Sequence, residues 1–530
     1  MGNRGLRLIE GAWGAEVAGD TALLVALLVA AYAAGGALFV GLLGAVRMVP
    51  ATVAGLSAAL PLTRYRAERV LVAVALVRGL CAIIAAAVLL LGAPIWLAFL
   101  VAAIVAASGA LVRPTQSALF PSLARTPAEL VAANVIASAA EGTGSLVGPV
   151  VAGVAVAVVS PALGAAFAAA LFLGAALAMV GVPAIEHRVR PVASHGLGGI
   201  GDGLAILGRR RGAAVVVSDF LGQTFVRGLL LTLVVVASVE LLGTGDPGVG
   251  WLNAAFGLGG MFGGLLALGL ASRHDLPRVF AVSLSAWGLP IAVIAAWPLA
   301  VIGLLAMAVS GGANALLDVS GFTILQRGVS QAERPAVFGV VEASVGLGIA
   351  TGSIVASLLL ASLGPRGALA VAGAILPILA VASWPVVARL ERQVVLRDDE
   401  IDILRAVRLF EPLPLDALER LAAAMTPVRF EPGAMLMCEG EPGDRYIVLT
   451  DGQVDVVRGG RTVAVSGPGE GVGEIALLRA IPRTATVVAT TPVEGFAIDC
   501  SVFRAVIVGP AVPVADALIA ERSQPTPAVI

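Results

Sequence analysis

Gly473-Glu474-Ile475-Ala476-Leu477-Leu478-Arg479-Ala480-Ile481-Pro482-Arg483-Thr484-Ala485-Thr486-Val487 sets a glycine–glutamate pair ahead of a short helical run. Arg483 follows nine residues after Glu474, behind Pro482. Backbone N–H groups at a helix start face an anion. A guanidinium fork grips phosphate oxygens through two parallel bonds. A carboxylate cannot face phosphate, but it accepts a hydrogen bond from a sugar hydroxyl. Phosphate and ribose gripped within one segment point to a nucleotide.

The segment resembles the phosphate-binding cassette of the cyclic-nucleotide-binding domain family. Upstream, Pro432-Gly433, Gly440, Gly443-Asp444, Tyr446-Ile447-Val448-Leu449 and Gly452 are similar to that family's glycine-punctuated β-roll. The resemblance covers about residues 403–508. It implies that Glu474 holds the ribose 2′-OH and Arg483 the cyclic phosphate, assisted by the N–H groups of Ile475 and Ala476. Gly473, Thr484 and Ala485 complete the implied ligand-binding set. A hydroxyl at Thr484 favours tolerance of cGMP, yet many bacterial cAMP sites carry one there too, and the reading leans to cAMP. Val472 departs from the family, which usually has an aromatic residue before Gly-Glu. The alternative is a degenerate β-roll kept as an interaction module, although such copies usually lose the Glu or the Arg.

The rest of the chain is not that of a soluble protein. Of 530 residues, 58% are hydrophobic and 13% charged, with mean hydropathy +0.98, whereas soluble domains carry about 25% charged residues. Apolar runs of about 20 residues match the length that crosses a bilayer core. Every basic residue is Arg, with no Lys, as in a GC-rich bacterial genome. Cys81, Cys438 and Cys500 are scattered and odd in number, so neither a disulfide framework nor a metal site follows. The first apolar run lacks a small-residue cleavage site and is expected to be retained.

Twelve spans are expected, near 14–34, 36–59, 69–91, 94–118, 130–158, 161–183, 212–241, 247–271, 277–296, 298–322, 335–361 and 367–388. Arg64, Arg66, Arg69, Arg125, Arg188, Arg190, Arg209, Arg210, Arg211, Arg273, Arg278, Arg327 and Arg334 fall in alternate loops, and the opposite loops carry only Arg366. The positive-inside rule then puts both termini in the cytoplasm, where cyclic nucleotides are made. The expected location is a bacterial inner membrane.

Gly142, Gly144 and Gly148 reappear at one constant offset as Gly346, Gly348 and Gly352. Each set follows a similar segment, Thr126-Pro127-Ala128-Glu129 and Ser330-Gln331-Ala332-Glu333. Two repeats of six spans resemble the major facilitator superfamily of transporters. Arg113-Pro114-Thr115-Gln116-Ser117-Ala118-Leu119-Phe120-Pro121, then Ala133-Asn134, looks like its drug and siderophore exporter branch. That resemblance covers about residues 8–390. The superfamily's signature between spans two and three is eroded, with no Asp between Gly55 and Arg66. Close helix packing explains the repeated glycines equally well.

Charges inside spans are costly and usually face a cavity or a partner. Glu16 and Asp20 share a face, as do Asp219, Gln223 and Arg227 at the same four-residue spacing. Arg47, Arg78 and Arg113 are candidates to neutralise the acids, and Glu141, Asp318 and Glu342 complete the set. One reading is a proton- or ion-coupled path through Asp20, Asp219 and Asp318. The other is a fixed latch, which suits arginines that cannot deprotonate. A lining of Ala, Val, Leu and Gly suggests an apolar or amphipathic substrate.

The expected division is a six-helix membrane repeat at 1–183, a cytosolic central loop at 184–211, a second repeat at 212–390, a linker helix at 391–408 and the cyclic-nucleotide-binding domain at 409–524. Within the central loop, Leu204, Ile206 and Leu207 precede three arginines and read as an amphipathic helix lying at the inner surface. The last segment, 501–522, is expected to supply a B helix and a C helix broken at Pro510 and Pro513. His187, His195 and His274 lack metal-ligand spacing, and no P-loop, nucleophile elbow or dinucleotide fingerprint occurs. The expectation is therefore a transporter for efflux of a small molecule, with no prosthetic cofactor, no metal and no enzyme chemistry. Its regulatory ligand would be cAMP or cGMP, and its other partners the lipid bilayer and the transported molecule. Nucleic acid is not expected, and a homo-oligomer is left open. Two alternatives are a membrane-anchored cyclic-nucleotide receptor without transport, and a nucleotide-free tail that holds oligomers together.

Overall fold

The computed structural model describes residues 4–56, 65–123, 127–182, 196–270, 276–329, 333–413 and 415–507. The expected C helix with Pro510 and Pro513, the three histidines, and Arg64, Arg125, Arg188, Arg190 and Arg273 lie outside them. The chain divides into two compact units, Met1–Leu390 and Glu391–Ile530.

The first unit is helical. Its elements are α1 (Arg4–Leu56), α2 (Ala67–Leu90), α3 (Ile95–Gly109), α4 (Val112–Leu123), α5 (Pro127–Val158), α6 (Pro161–Val180), α7 (Gly196–Arg209), α8 (Arg211–Val236), a π-helical turn at Ala237–Leu241, α9 (Gly245–Leu270), α10 (Leu276–Ala296), α11 (Ala300–Gly328) and α12 (Arg334–Ala406). Among the described residues, ten helical stretches are long and apolar enough to cross a membrane. Two of them, of 51 and 56 residues, would run more than about 75 Å if straight, over twice the ~30 Å hydrocarbon core. Both are broken. Gly36 sits at φ 62°, ψ −156° inside α1, and Gly364 at φ 69°, ψ 176° inside α12. Only glycine enters that region without strain, and Pro365 follows the second break.

The repeated glycines are where helices touch. A Cβ on Gly148 would lie 2.3 Å from the Ala18 carbonyl oxygen of α1, and one on Gly144 2.8 Å from that of Gly14. On α12, a Cβ on Gly352 would lie 2.1 Å from the Phe225 carbonyl oxygen, and one on Gly348 2.3 Å from Thr224 Oγ1 of α8. Each glycine face thus lets backbones approach as close as van der Waals contact allows.

The amphipathic helix expected in the central loop forms as α7 and packs on the bundle. Leu207 of α7 is buried in the helical core, with Ile200 and Ile206 packed against it. Gly203 faces α12 so closely that a Cβ would meet the Ala336 carbonyl oxygen at 2.4 Å. Arg210 then donates to Glu333 at 2.7 Å and to the Gly328 carbonyl at 3.0 Å. Leu204 alone of the three expected apolar residues is more than half exposed, at 57%. Hydrophobic spacing gives a helix an apolar face, but not the surface that covers it.

The second unit holds α13 (Leu415–Ala422), β1 (Thr426–Phe430), β2 (Met435–Met437), β3 (Arg445–Asp451), β4 (Val454–Arg458), β5 (Arg461–Ser466), β6 (Gly471–Val472), α14 (Glu474–Arg479), β7 (Thr486–Ala489), β8 (Val493–Asp499) and α15 (Cys500–Ile507). Two four-stranded antiparallel sheets, ordered β1-β8-β3-β6 and β2-β7-β4-β5, make a roll. Ile447, Leu449, Val454, Val472 and Val487 fill it. A second cluster joins the end of α12, through Ile401 and Leu404, to Leu477 of α14 and Phe503 of α15. Tyr446 lies tilted against Phe503 at 4.8 Å between ring centroids and meets Phe410 edge-on at 5.5 Å.

Candidate functional site

The short helix begins where the sequence places it. Gly473 stands at φ 99°, a left-handed conformation, and Glu474 opens α14. Gly473 is required twice over, because a Cβ there would also meet Arg483 Nη1 at 2.5 Å and Met437 Cε at 2.7 Å. Glu474 and Arg483 are both buried, at 5% and 4% exposure, and both line one hollow of about 110 Å³. Ile475, Ala476, Thr484 and Ala485 line the same hollow with Gly473.

Arg483 is held by the fold before any ligand arrives. Its Nη1 donates to the Gly473 carbonyl at 3.1 Å, and its Nη2 to the Arg445 carbonyl at 2.7 Å and Asp444 Oδ1 at 2.9 Å. These three bonds occupy three of the five N–H groups a guanidinium carries, which leaves two for a ligand. Desolvation raises the Asp444 carboxyl, but hydrogen bonds from Arg483 and its own backbone, with the charges of Arg445 and Arg483, together outweigh it and hold the group below the usual carboxylate range. In the sequence Asp444 belongs only to the glycine-punctuated β-roll, since a partner 39 residues away leaves no local signature.

Lining residues of the roll that lie outside the expected set include Met437, Val456, Arg458, Val463, Ala464 and Ser466. They come from β2, β4 and β5, which the resemblance placed only as a roll. The alternation Val454, Val456, Arg458 along β4 is the signal that could have found two of them.

The membrane charges separate into two groups. Arg78 of α2 bonds both Glu16 and Asp20 of α1, and Arg47 reaches Asp20 at 3.3 Å. Glu16, Arg47 and Arg78 are buried, and the Arg78 guanidinium also lies 4.4 Å from the Phe172 ring centroid. Arg113 does not join them. It pairs with Glu141 at 3.8 Å, both side chains being exposed.

The other group lies on α8, α10 and α11. Gln223 donates to Asn314 Oδ1 at 2.7 Å, Trp287 Nε1 donates to the same oxygen at 3.0 Å, and Asn314 donates to Asp318 Oδ2 at 2.9 Å. Asp219 is 2% exposed, and its Oδ2 has no hydrogen-bond partner among the described residues. Arg227, expected to share a face with Asp219 and Gln223, is exposed while those two are buried. It lies instead within Coulombic reach of Asp318, as do Arg113 and Glu141. Among the described residues, no cluster of His, Cys, Asp and Glu has the geometry of a metal site.

Two family models match the chain. That of the Major Facilitator Superfamily covers 214–426, and that of the cyclic nucleotide-binding domain covers 427–508. The acetyltransferase Pat of Mycolicibacterium smegmatis is 39% identical over 108 residues, which are 20% of this chain and 32% of Pat. The cAMP-dependent protein kinase regulatory subunit of Yarrowia lipolytica is 32% identical over 99 residues, 19% of this chain and 26% of that protein. Among solved structures, the regulatory subunit of a cAMP-independent protein kinase A from Trypanosoma brucei is 29% identical, with a TM-score of 0.23. It covers 25% of this chain and 47% of its own. The chain thus spans a third or less of the curated relatives' length.

Proposed function

We propose that this chain, which joins a Major Facilitator Superfamily segment to a cyclic nucleotide-binding domain, is a multi-pass membrane carrier whose activity is set by cytosolic cAMP or cGMP. The reading divides 1–183 and 212–390 into two six-helix repeats, with α1 and α12 each crossing twice. Support comes from the breaks at Gly36 and Gly364 and from the glycine faces, which seat α5 on α1 and α12 on α8. Arginine placement supports an inner-membrane protein with both termini cytoplasmic. The cargo is a small apolar or amphipathic molecule moved outward.

The observation that carries the reading is the shared hollow of Glu474 and Arg483. Arg483 takes the cyclic phosphate with its two remaining N–H groups, aided by the amides of Ile475 and Ala476, and Glu474 accepts from the ribose 2′-OH. A ligand seated on α14 moves Leu477, which packs with Ile401, Leu404 and Phe503. Arg504 Nε also donates to the Leu477 carbonyl at 2.7 Å. The helix through 391–408 passes that shift on as a bias between inward- and outward-open states. Allosteric couplings of ~1–3 kcal/mol change activity by about 5–150-fold.

Reconstituted protein, assayed for transport with and without cyclic nucleotide, tests this. Arg483→Ala abolishes nucleotide binding and regulation while basal transport persists. Retention of wild-type nucleotide affinity by Arg483→Ala refutes the site. A second reading, a membrane-anchored receptor without transport, draws on the double grip of Arg47 and Arg78 on Asp20. Robust flux in proteoliposomes excludes it.

A further inference from the structure

We propose that Arg458 reads the purine base of the ligand and selects guanine over adenine, an inference that rests on the cyclic-nucleotide reading of the same hollow. Arg458 ends β4, and alternation along that strand puts it on the same face as Val454, which is fully buried, and Val456. Val456 and Arg458 both line the hollow, together with Val463 and Ala464 of the paired strand β5. With the phosphate on Arg483 and the ribose on Glu474, the base lies against this hairpin. Val456, Val463 and Ala464 give its faces an apolar wall, and Arg458 is the charged group at its edge.

That guanidinium is unspent. Among the described residues Arg458 has no ion pair, and the residue opposite it in register is another cation, Arg461. Like charges opposite one another across a strand pair are unfavourable, so an acceptor arriving at Arg458 relieves a local repulsion. Guanine presents two adjacent acceptors, O6 and N7, which match the arginine fork, whereas adenine sets an N6 amino donor beside N7. The same fork therefore attracts one base and meets a donor on the other. A sound bidentate contact of this type corresponds to about 5- to 150-fold discrimination. An exposed arginine sits near the lower end, and about tenfold is expected.

The test is competition binding to the purified full-length protein with cGMP, cAMP, cIMP and 7-deaza-cGMP. Cyclic IMP keeps O6 and N7 but lacks the 2-amino group that Thr484 could contact, and the deaza analogue lacks N7. The expected order is cGMP and cIMP tightest, with cAMP and 7-deaza-cGMP weaker. Arg458→Ala lowers cGMP and cIMP affinity by about tenfold, leaves cAMP nearly unchanged and so removes the preference. Arg461→Ala leaves the preference in place. A preference that survives Arg458→Ala, or cIMP binding no better than cAMP, overturns the assignment while the nucleotide site stands. Absence of binding by all four nucleotides removes the site itself.

Discussion

Arg483 and Asp444 form an ion pair at 2.9 Å in which the arginine is 3% exposed and the aspartate 61%. The guanidinium is thus fixed from its protein side, while its counter-charge sits at the water boundary. Desolvation raises the Asp444 carboxyl, but hydrogen bonds and the neighbouring arginines together outweigh it and hold the group below the usual carboxylate range. A lowered folded value means the pair's stabilisation is complete above the ordinary carboxylate range. It is lost as pH falls through the lowered value. The thermal transition of the nucleotide-binding unit should therefore fall more steeply in acid for the wild type than for Asp444→Asn, with a constant gap near neutrality. Parallel curves down to the lowest accessible pH would contradict the pairing.

Gly473→Ala tests the turn that presents Glu474. The φ of 99° is strained for any L side chain, and the added carbon would press on Arg483 Nη1. A residue held in such a region costs about 1–3 kcal/mol. Nucleotide titration should show loss of binding, and thermal melting a lower transition. Wild-type affinity would mean that the short helix can reform without its glycine.

How far the sequence could be read depends on the range of each interaction. Glu474, Arg483 and Gly473 lie within eleven residues, so local spacing was enough to place them. Asp444 reaches the site across 39 residues, which no period in the sequence marks, and Arg458 comes from a separate hairpin, where alternation along β4 gives its face but not the hollow it lines. In the first unit, twelve apolar spans were expected and ten long apolar helical stretches are present among the described residues, while the repeated glycines lie at helix contacts. Which acid meets which arginine was not legible. Arg113 is as good a candidate as Arg47 and Arg78 to neutralise the acids, yet only the latter two reach Glu16 and Asp20. That choice is set by helix rotation, which apolar composition does not encode.

Arg78→Gln separates a structural latch from a transport group. Removing one partner from a buried ion pair costs about 3–5 kcal/mol, because the other charge is left uncompensated. Here two acids lose their shared cation, and the Phe172 ring loses its cationic neighbour. A strongly lowered melting temperature in detergent is expected. The double change Arg78→Leu with Glu16→Leu should recover part of it, because Asp20 keeps Arg47 as its partner. A stable Arg78→Gln protein that transports nothing would instead make the arginine part of the substrate path.

Mobility of charge then falls to the other half of the bundle. Asp20 is held by two guanidinium groups, whereas neither Asp219 nor Asp318 has an ion pair within 4.0 Å among the described residues. A carboxyl fixed between two arginines cannot trade a proton for cargo without breaking both contacts. Among the described residues, Asp318 accepts from the amide of Asn314, and Asp219 Oδ2 has no hydrogen-bond partner to give up. If transport is coupled to protons, Asp219→Asn should abolish flux driven by a pH gradient while leaving substrate exchange at equilibrium. Asp20→Asn should lower stability more than it alters coupling. The measurement is uphill flux against counterflow in the same proteoliposomes, and loss of both modes in Asp219→Asn would assign that residue to cargo binding.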